Sequence, residues 1–242
     1  MTEIILALDV ATADAGRQML DRVPDLRWVK LGPVLMTRVG APFVQEVAAR
    51  GLRVFLDLKW HDIPNSVAGA VGAARDLGVA MATVHTLGGT GMLEAAVKAA
   101  GGGVALVGVT VLTSHDKTSY AAATGRAVGE IEVEARRMAA IANSAGLDGV
   151  VCSPQEISAV RQVWKEAVVV VPGIRQGSEP KDDQTRVSTA GDAARDGATH
   201  LVVGRPLLHA TDPAKVLEEL REEVACALAC SCFSRSSAAL DS

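Results

Sequence analysis

The sequence predicts an α/β fold in the form of a single (β/α)8 barrel, the TIM-barrel architecture. Short apolar runs alternate with longer amphipathic stretches along the chain. We interpret this alternation as eight strand–helix pairs. The apolar runs are rich in β-branched residues and nearly continuous in apolarity, as parallel strands covered on both faces are. Eight pairs fit a closed barrel better than an open doubly wound sheet.

The individual elements follow from these two patterns. The strands are expected at residues 3–9, 28–32, 54–59, 81–86, 104–112, 149–153, 167–173 and 200–205. Apolar residues at helical spacing mark seven of the predicted helices, at residues 41–51, 66–78, 91–102, 133–146, 153–164, 186–197 and 213–229. Gly51 suits the end of the first of these helices, and Ser153 with Pro154 suits a capped helix start.

The domain organisation is predicted to be simple. No linker or shift in composition divides the 242 residues, and 49% of them are apolar, which suffices for one large core. Residues 1–230 are therefore expected to form the barrel domain. Residues 231–242 are rich in Ser and Ala without a clear period, so they are expected to form a flexible tail.

The cysteines predict neither a disulfide framework nor a metal site. Three of the four, Cys226, Cys230 and Cys232, crowd near the C-terminus, and Cys152 stands alone. A chain of this length with this usage does not resemble a small disulfide-rich domain. No fourth ligand lies near the cluster at a spacing that zinc would need.

Charge and composition exclude several classes of function. The net charge is −4 and only 3% of the residues are aromatic, so neither a basic surface nor a base-stacking platform for nucleic acid is expected. No N-terminal segment resembles a signal peptide, and no uncharged apolar run is long enough to span a membrane. A soluble, cytoplasmic protein is the expectation.

The segment "VFLDLKWHDIPNSV" ends a buried strand with a row of charges. Asp57 and Lys59 are two residues apart, so both point to the same face of the strand. Lys30 adds a cation from the preceding strand, and Asp62 follows in the loop. Because barrel enzymes carry their sites at the carboxyl ends of the strands, these charges are expected to form a paired network there.

Other interpretations of these charges remain open at this point. Asp57 and Lys59 could form a structural ion network or a solvated strand end. Asp62 precedes Pro64 and a predicted helix, a position where Asp commonly serves as an N-cap.

The last two strands end in motifs that favour phosphate binding. "GIRQG" and "VVGRP" follow the seventh and eighth strands, where barrels commonly bind phosphate. Arg205 offers a bidentate fork, and Gly204 permits close approach of the backbone. Surface arginines are the alternative. The polar loops 175–186 and 113–125 are long enough to be lids or ordinary mobile loops.

No motif predicts a cofactor. The five histidines lack HxH and HExxH spacing, so no zinc site is expected. "LGGTGM" lacks the GxGxxG frame of a dinucleotide site. Cys152 beside Ser153 could suggest a nucleophile, but no paired histidine can be assigned.

Seven motifs together resemble the orotidine 5′-monophosphate decarboxylase family. They are "LALD", "VKLG", "FLDLKWHDIPN", "VTVLTS", "VVCSP", "VVPGIR" and "VVGRP", and the resemblance covers about residues 3–220. The DLKxHDIPN signature is highly specific, whereas DxKxxD alone also occurs in related sugar-phosphate enzymes. The resemblance implies decarboxylation of orotidine 5′-monophosphate to UMP and CO2 without a cofactor or metal.

The resemblance also implies roles for the charged row. Lys59 corresponds to the proton donor to C6 of the product, and Asp57 to the carboxylate beside the departing CO2. Asp62 and Ile63 correspond to residues given to the partner subunit's site in a homodimer. Lys30 corresponds to a member of the charge network that also contacts the ribose.

Further substrate contacts are implied at the ends of other strands. Asp9 corresponds to a ribose contact, and Ser66 stands where many relatives have Thr. The pyrimidine side is assigned to Thr113, Ser153, Pro172 and Gln184, with Gln184 also reaching toward the phosphate. The phosphate end is assigned to Arg175, Gly204 and Arg205.

Two alternative functions differ from this one in the residues that they require. A magnesium-dependent keto-sugar-phosphate decarboxylase or aldolase on the same barrel would need an extra carboxylate to hold the metal. Lys30 stands in that region and would repel Mg²⁺. A non-catalytic ligand-binding barrel would not need the Asp57–Lys59–Asp62 set. Decarboxylation of orotidine monophosphate, assayed with and without EDTA, distinguishes the three.

Overall fold

The computed structural model describes residues 2–175 and 186–237. Eight parallel strands pair in chain order and close into a barrel through pairing of the first with the eighth. The strands are β1 Glu3–Ala7, β2 Trp28–Leu31, β3 Arg53–Trp60, β4 Met81–His85, β5 Ala105–Val109, β6 Gly149–Val151, β7 Val168–Val171 and β8 His200–Val203. The predicted (β/α)8 barrel is confirmed.

Helices surround the barrel. They are α1 Ala13–Asp21, α2 Pro33–Val39, α3 Ala41–Ala49, α4 Pro64–Asp76, α5 Thr90–Ala100, α6 Lys117–Thr124, α7 Ile131–Ser144, α8 Ile157–Val163, α9 Ala190–Asp196, α10 Arg205–Leu208 and α11 Pro213–Ser237. Single 3₁₀ turns lie at Thr86–Gly88 and Pro154–Glu156. Within the described ranges, no helix is both long and apolar enough to cross a membrane.

Four helices, α1, α2, α6 and α10, were not predicted from the sequence. Helix α1 begins after Thr12, whose hydroxyl accepts a hydrogen bond from the Ala15 amide at 3.2 Å. Helix α6 lies within the stretch predicted as a long loop, and Asp116 caps it by accepting from the Ser119 amide at 2.7 Å. Helices α1 and α6 are short and bury few large apolar side chains, so the apolar spacing on which the prediction relied gives only a weak signal there.

The last helix runs past the boundary predicted for the barrel domain. Helix α11 continues to Ser237, so residues 231–237 of the predicted tail belong to this helix. No Gly or Pro follows Pro213 within this helix, and nothing in its composition terminates it. Residues 238–242 lie outside the described part of the chain.

The core has two layers that follow the alternation of the strands. One layer fills the barrel interior and comprises Ile5, Ala7, Trp28, Phe55, Met81, Val107, Val170 and Val202. The other lies between the strands and the helices, where Leu6 and Val29 pack. Because alternate residues share a face, Lys30 follows Trp28 and Asp57 follows Phe55 on the interior side. The alternation therefore carries these charges to the carboxyl end of the barrel interior.

His200 begins β8 at the opposite end of the barrel. Its ring packs edge-on against Trp28 with the centroids 5.0 Å apart, and its Nδ1 lies 2.9 Å from the Thr199 hydroxyl. Burial, with a smaller contribution from the charge of Arg53, lowers the pKa of His200 from 6.5 to about 4. The folded protein therefore holds this ring neutral at a pH where the unfolded chain protonates it.

We expect His200 to make the protein less stable in acid. Its contribution is fully present above pH 6.5 and is lost as the pH falls toward 4, because the unfolded state then binds the extra proton. The loss is on the order of 1–3 kcal/mol. Urea unfolding at pH 8 and pH 5 should show a smaller difference for His200→Gln than for wild type. His209→Gln is the control, since His209 is exposed, and it should show the same pH difference as wild type. If His200→Gln also shows the wild-type difference, the prediction is contradicted.

Candidate active site

A cavity of about 520 Å³ opens at the carboxyl ends of the strands. Its volume and mixed lining suit a small organic ligand. The predicted site residues that line it are Asp9, Lys30, Asp57, Lys59, Thr113, Pro172, Arg175, Gly204 and Arg205. The structure thus brings together residues from six of the eight strand ends.

Asp57 is the shared partner of two lysines on the cavity wall. Lys59 Nζ donates to Asp57 Oδ1 at 2.8 Å, and Lys30 Nζ lies 3.7 Å from Asp57 Oδ2. Lys30 Nζ also donates to Asp9 Oδ1 at 3.1 Å. The side chains of Lys30 and Asp57 are only 11% and 13% exposed. Charges this buried need each other, so the solvated strand end considered above is wrong.

The backbone at Lys59 departs from a regular strand. Its φ is 52°, the left-handed region, and no other described non-glycine residue has a positive φ. The β3–β4 register also shifts between Leu56 and Trp60. A side chain in the left-handed region costs about 1–3 kcal/mol, and such residues concentrate at functional sites. The strained residue here is the one whose ammonium enters the cavity.

Thr83 on β4 contacts both members of the Lys59–Asp57 pair. The Lys59 amide donates to Thr83 Oγ1 at 2.8 Å, and Thr83 Oγ1 donates to Asp57 Oδ1 at 3.2 Å. Thr83 is completely buried. The sequence analysis missed it because a Thr within an apolar strand is an ordinary β-former.

Two guanidinium groups line the cavity on the side of β7 and β8. Arg205 follows Gly204 directly after β8, and Arg175 follows β7, where its Nη1 donates to the Ile174 carbonyl at 2.9 Å. Leu208 and His209, one turn beyond Arg205, also line the cavity. The sequence analysis did not select those two, because nothing in the pattern distinguished them from other residues after the strand.

Ser153 lies directly behind the cavity wall. It is completely buried, its hydroxyl accepts from the Gln155 amide at 3.3 Å, and its own amide donates to Glu156 Oε2 at 3.0 Å. These bonds cap the short 3₁₀ turn, as the helix-start motif predicted. The adjacent Cys152 lines the cavity, and burial raises the pKa of its thiol to about 12, which does not suit a nucleophile.

Asp62, Ile63 and Ser66 lie outside the cavity of their own barrel. All three are exposed, with Ile63 67% exposed, and Asp62 Oδ1 accepts only from the Ile63 amide at 2.6 Å among described contacts. Ile63 occupies the N-cap position of α4, without a side-chain cap. The N-cap alternative for Asp62 is therefore wrong. Gln184 lies outside the described residues.

A buried ion pair ties three loops together behind the site. Arg186 contacts the carboxylate of Glu156, which is completely buried, and Arg186 Nη2 donates to the Leu112 carbonyl at 2.9 Å. Leu112 precedes the predicted contact Thr113, and Glu156 holds the Ser153 amide. The sequence analysis missed this pair because its members are 30 residues apart and lie in different predicted helices.

The residues that the structure describes contain no group of three or more His, Cys, Asp or Glu side chains that could hold a metal ion. The Lys, Asp and Arg side chains give the cavity wall amino, carboxylate and guanidinium groups.

The fold and the cavity together define a (β/α)8-barrel enzyme with a paired lysine–aspartate row at its centre. Residues 2–220 match the model of the orotidine 5′-phosphate decarboxylase / HUMPS family. The chain belongs to this family.

Curated relatives and a solved structure agree with this assignment. The chain is 45% identical to orotidine 5′-phosphate decarboxylase of Halorhodospira halophila, over 93% of this chain and 96% of that protein. It is 43% identical to the enzyme of the same name from Moorella thermoacetica, over 92% of each chain. The crystal structure of orotidine 5′-phosphate decarboxylase from Lactobacillus acidophilus superimposes with a TM-score of 0.82 at 29% identity, covering 93% of this chain and 99% of that one.

Loss of one member of the Glu156–Arg186 pair should destabilise the fold more than loss of both. Arg186→Met leaves a buried carboxylate unpaired, so we expect the free energy of unfolding to fall by about 3–5 kcal/mol. Arg186→Met/Glu156→Gln removes both charges and should cost less than Arg186→Met alone, and therefore less than the two single losses added together. Urea unfolding measures all three variants.

The matched control is Arg195→Met, since Arg195 forms an exposed pair with Asp192. That change should cost at most about 1 kcal/mol. Additive losses in the Glu156 and Arg186 variants would show that the two side chains do not act as a pair.

Proposed function

We propose that Lys59 donates the proton to C6 when this protein decarboxylates orotidine 5′-monophosphate to UMP and CO2. That decarboxylation is a step of pyrimidine biosynthesis, and it is the activity of the family to which the chain belongs. The observation that carries the proposal is the Lys59 ammonium held 2.8 Å from Asp57 on the cavity wall. This distance supports the proposal because an ammonium group and a carboxylate lie side by side at the carboxyl end of β3.

The chemistry requires stabilisation of a carbanion. When the bond between C6 and the carboxylate breaks, its electron pair remains on C6, and no cofactor is needed to accept it if a fixed cation lies beside that carbon. The Lys59 ammonium supplies that charge. An Nζ–H bond then breaks, its electrons stay on nitrogen, and the proton forms the new C6–H bond.

Asp57 has two roles in this proposal. It holds the Lys59 ammonium by the short hydrogen bond, and it lies where the substrate carboxylate must sit if C6 faces Lys59. Two carboxylates side by side repel each other, and the repulsion ends when CO2 leaves. Lys30, near Asp57 and Asp9, keeps this part of the site from becoming too negative for an anionic substrate.

The remaining contacts orient the nucleotide. We assign the phosphate to Arg175, Gly204 and Arg205, because guanidinium forks suit phosphate oxygens and both arginines line the cavity. We assign the ribose to Asp9 and Lys30, and the pyrimidine to Thr113, Ser153, Pro172 and Gln184. Binding energy from the phosphate, which does not react, then supports the reaction at C6.

The site is proposed to be shared in a cytoplasmic homodimer. Asp62, Ile63 and Ser66 are exposed beyond β3, away from their own cavity. An exposed isoleucine beside an exposed carboxylate is suited to contact a second copy of the chain. Each protomer of a two-fold dimer would then give Asp62 and Ile63 to the other's site. Neither nucleic acid nor membrane is part of this function.

Arg205→Ala should weaken the enzyme only toward phosphorylated substrate. Losing a hydrogen bond to a charged group costs about 1.5–3 kcal/mol, which should appear in kcat/KM for orotidine monophosphate. Steady-state assays with orotidine, which lacks the phosphate, supply the control and should be nearly unchanged. Equal losses for both substrates would assign Arg205 a structural role.

Mixed dimers should recover activity if the site is shared. Lys59→Ala and Asp62→Ala are each expected to lose at least ~10²-fold in kcat, the scale of lost acid–base catalysis. After the two variants are unfolded, mixed equally and refolded, about half the dimers are heterodimers, each with one intact site. About a quarter of all sites should therefore recover, in buffer with EDTA that leaves wild type fully active.

Three results would contradict these assignments. If heterodimers form but no activity returns, Asp62 serves its own barrel or none. If Lys59→Ala alone keeps near wild-type activity, Lys59 is not the proton donor. A dependence of wild type on Mg²⁺ would favour the metal-dependent alternative.

A further inference from the structure

We propose that Thr83 is a positioning residue that holds Lys59 and Asp57 in their reactive arrangement. The inference rests on the proposed role of Lys59. Thr83 does not line the cavity among the described residues, so its effect must pass through the two side chains it contacts.

The strand register places Thr83 opposite the irregular part of β3. Leu56 pairs with Ala82, and the next pair is Trp60 with Val84. The segment from Asp57 to Lys59 therefore faces a single β4 residue, Thr83. Regular ladder hydrogen bonds cannot serve such a segment, so its backbone groups need other partners.

The Thr83 hydroxyl supplies one of those partners. It accepts a hydrogen bond from the Lys59 amide at 2.8 Å. The amide therefore has a hydrogen-bond partner while Lys59 holds its left-handed φ of 52°. A buried amide without a partner would favour relaxation of the backbone toward an extended strand. Relaxation at Lys59 would redirect its side chain, because φ determines where Cβ points.

The same hydroxyl also fixes the carboxylate. It donates a hydrogen bond to Asp57 Oδ1 at 3.2 Å, and the same oxygen accepts a hydrogen bond from Lys59 Nζ at 2.8 Å. A closed ring thus runs from the Lys59 amide through Thr83 and Asp57 to the Lys59 ammonium. Only a group that donates and accepts at once can complete this ring, as a hydroxyl does.

The surroundings of Thr83 make its hydroxyl hard to replace. The residue is completely buried, as are its neighbours Ala82 and Val84. Its β-branched side chain has few allowed rotamers, which fixes the direction of the hydroxyl. Loss of the hydroxyl should therefore misplace Lys59 while the phosphate contacts after β7 and β8 stay intact.

The test compares three substitutions at this position. Thr83→Val keeps the shape and removes the hydroxyl, and should lower kcat for orotidine monophosphate roughly 10–100-fold, the scale of small misplacements of reacting groups. KM and the affinity for UMP should stay within about threefold of wild type, since binding depends on the phosphate end. Thr83→Ser restores the hydroxyl and should recover kcat to within a few-fold. Thr83→Ala replaces the valine variant if that one does not fold.

Thr110→Val is the matched control. Thr110 is also completely buried, and its hydroxyl donates to the Val151 carbonyl at 2.9 Å, away from the Lys59–Asp57 pair. It should lose thermal stability like Thr83→Val but keep its kcat. A drop in kcat that is the same for Thr83→Val and Thr110→Val, or equal for valine and serine at position 83, overturns the proposal.

A double variant separates this inference from the proposed function. If Thr83 acts through Lys59, Thr83→Val/Lys59→Ala should be no slower than Lys59→Ala alone. If Lys59→Ala is inactive while Thr83→Val keeps wild-type kcat, only the role of Thr83 is wrong. If Lys59→Ala stays active, the proposed proton donor is wrong and the inference about Thr83 fails with it.

Discussion

The arrangement of the site depends on one mostly buried carboxylate, Asp57. A carboxylate shielded from water needs hydrogen-bond donors or cations beside it. Asp57 forms ion pairs with Lys59 and Lys30 and accepts a hydrogen bond from the Thr83 hydroxyl. Lys30 in turn meets Asp9 beyond β1. The network therefore spans four neighbouring strand ends, and its distances are set by the closure of the barrel rather than by any single loop.

The β3–β4 pairing is irregular at the point where the Lys59 side chain enters the cavity. Strict alternation carries Phe55 and Asp57 inward, but the register then breaks, and β3 regains it only where Trp60 pairs with Val84. Lys59 takes the left-handed conformation within that break. Such strain persists only where the surroundings over-determine it, and the buried layers on both sides of β3 and β4 meet that condition.

The sequence predicted those features that depend on short spacing. Asp57 and Lys59 share a face because they are two residues apart, and Lys30 joins them because consecutive parallel strands are neighbours. Thr83 and the Glu156–Arg186 pair could not be found this way, because their contacts depend on register and loop path, which spacing does not determine. The helical conformation of residues 231–237 was not predicted because apolar residues do not recur there at helical spacing.

In the proposed reaction, the net charge of the cavity matches the charge of the product better than that of the substrate. Among its described lining residues, Lys30, Lys59, Arg175 and Arg205 are cationic, whereas Asp9 and Asp57 are anionic, so two positive charges are in excess. A nucleotide monophosphate brings about two negative charges through its phosphate, and the orotate carboxylate adds a third. In the proposed binding mode, that third charge lies against Asp57. Loss of CO2 would then remove the surplus negative charge, and the charge that develops on C6 would lie beside the Lys59 ammonium.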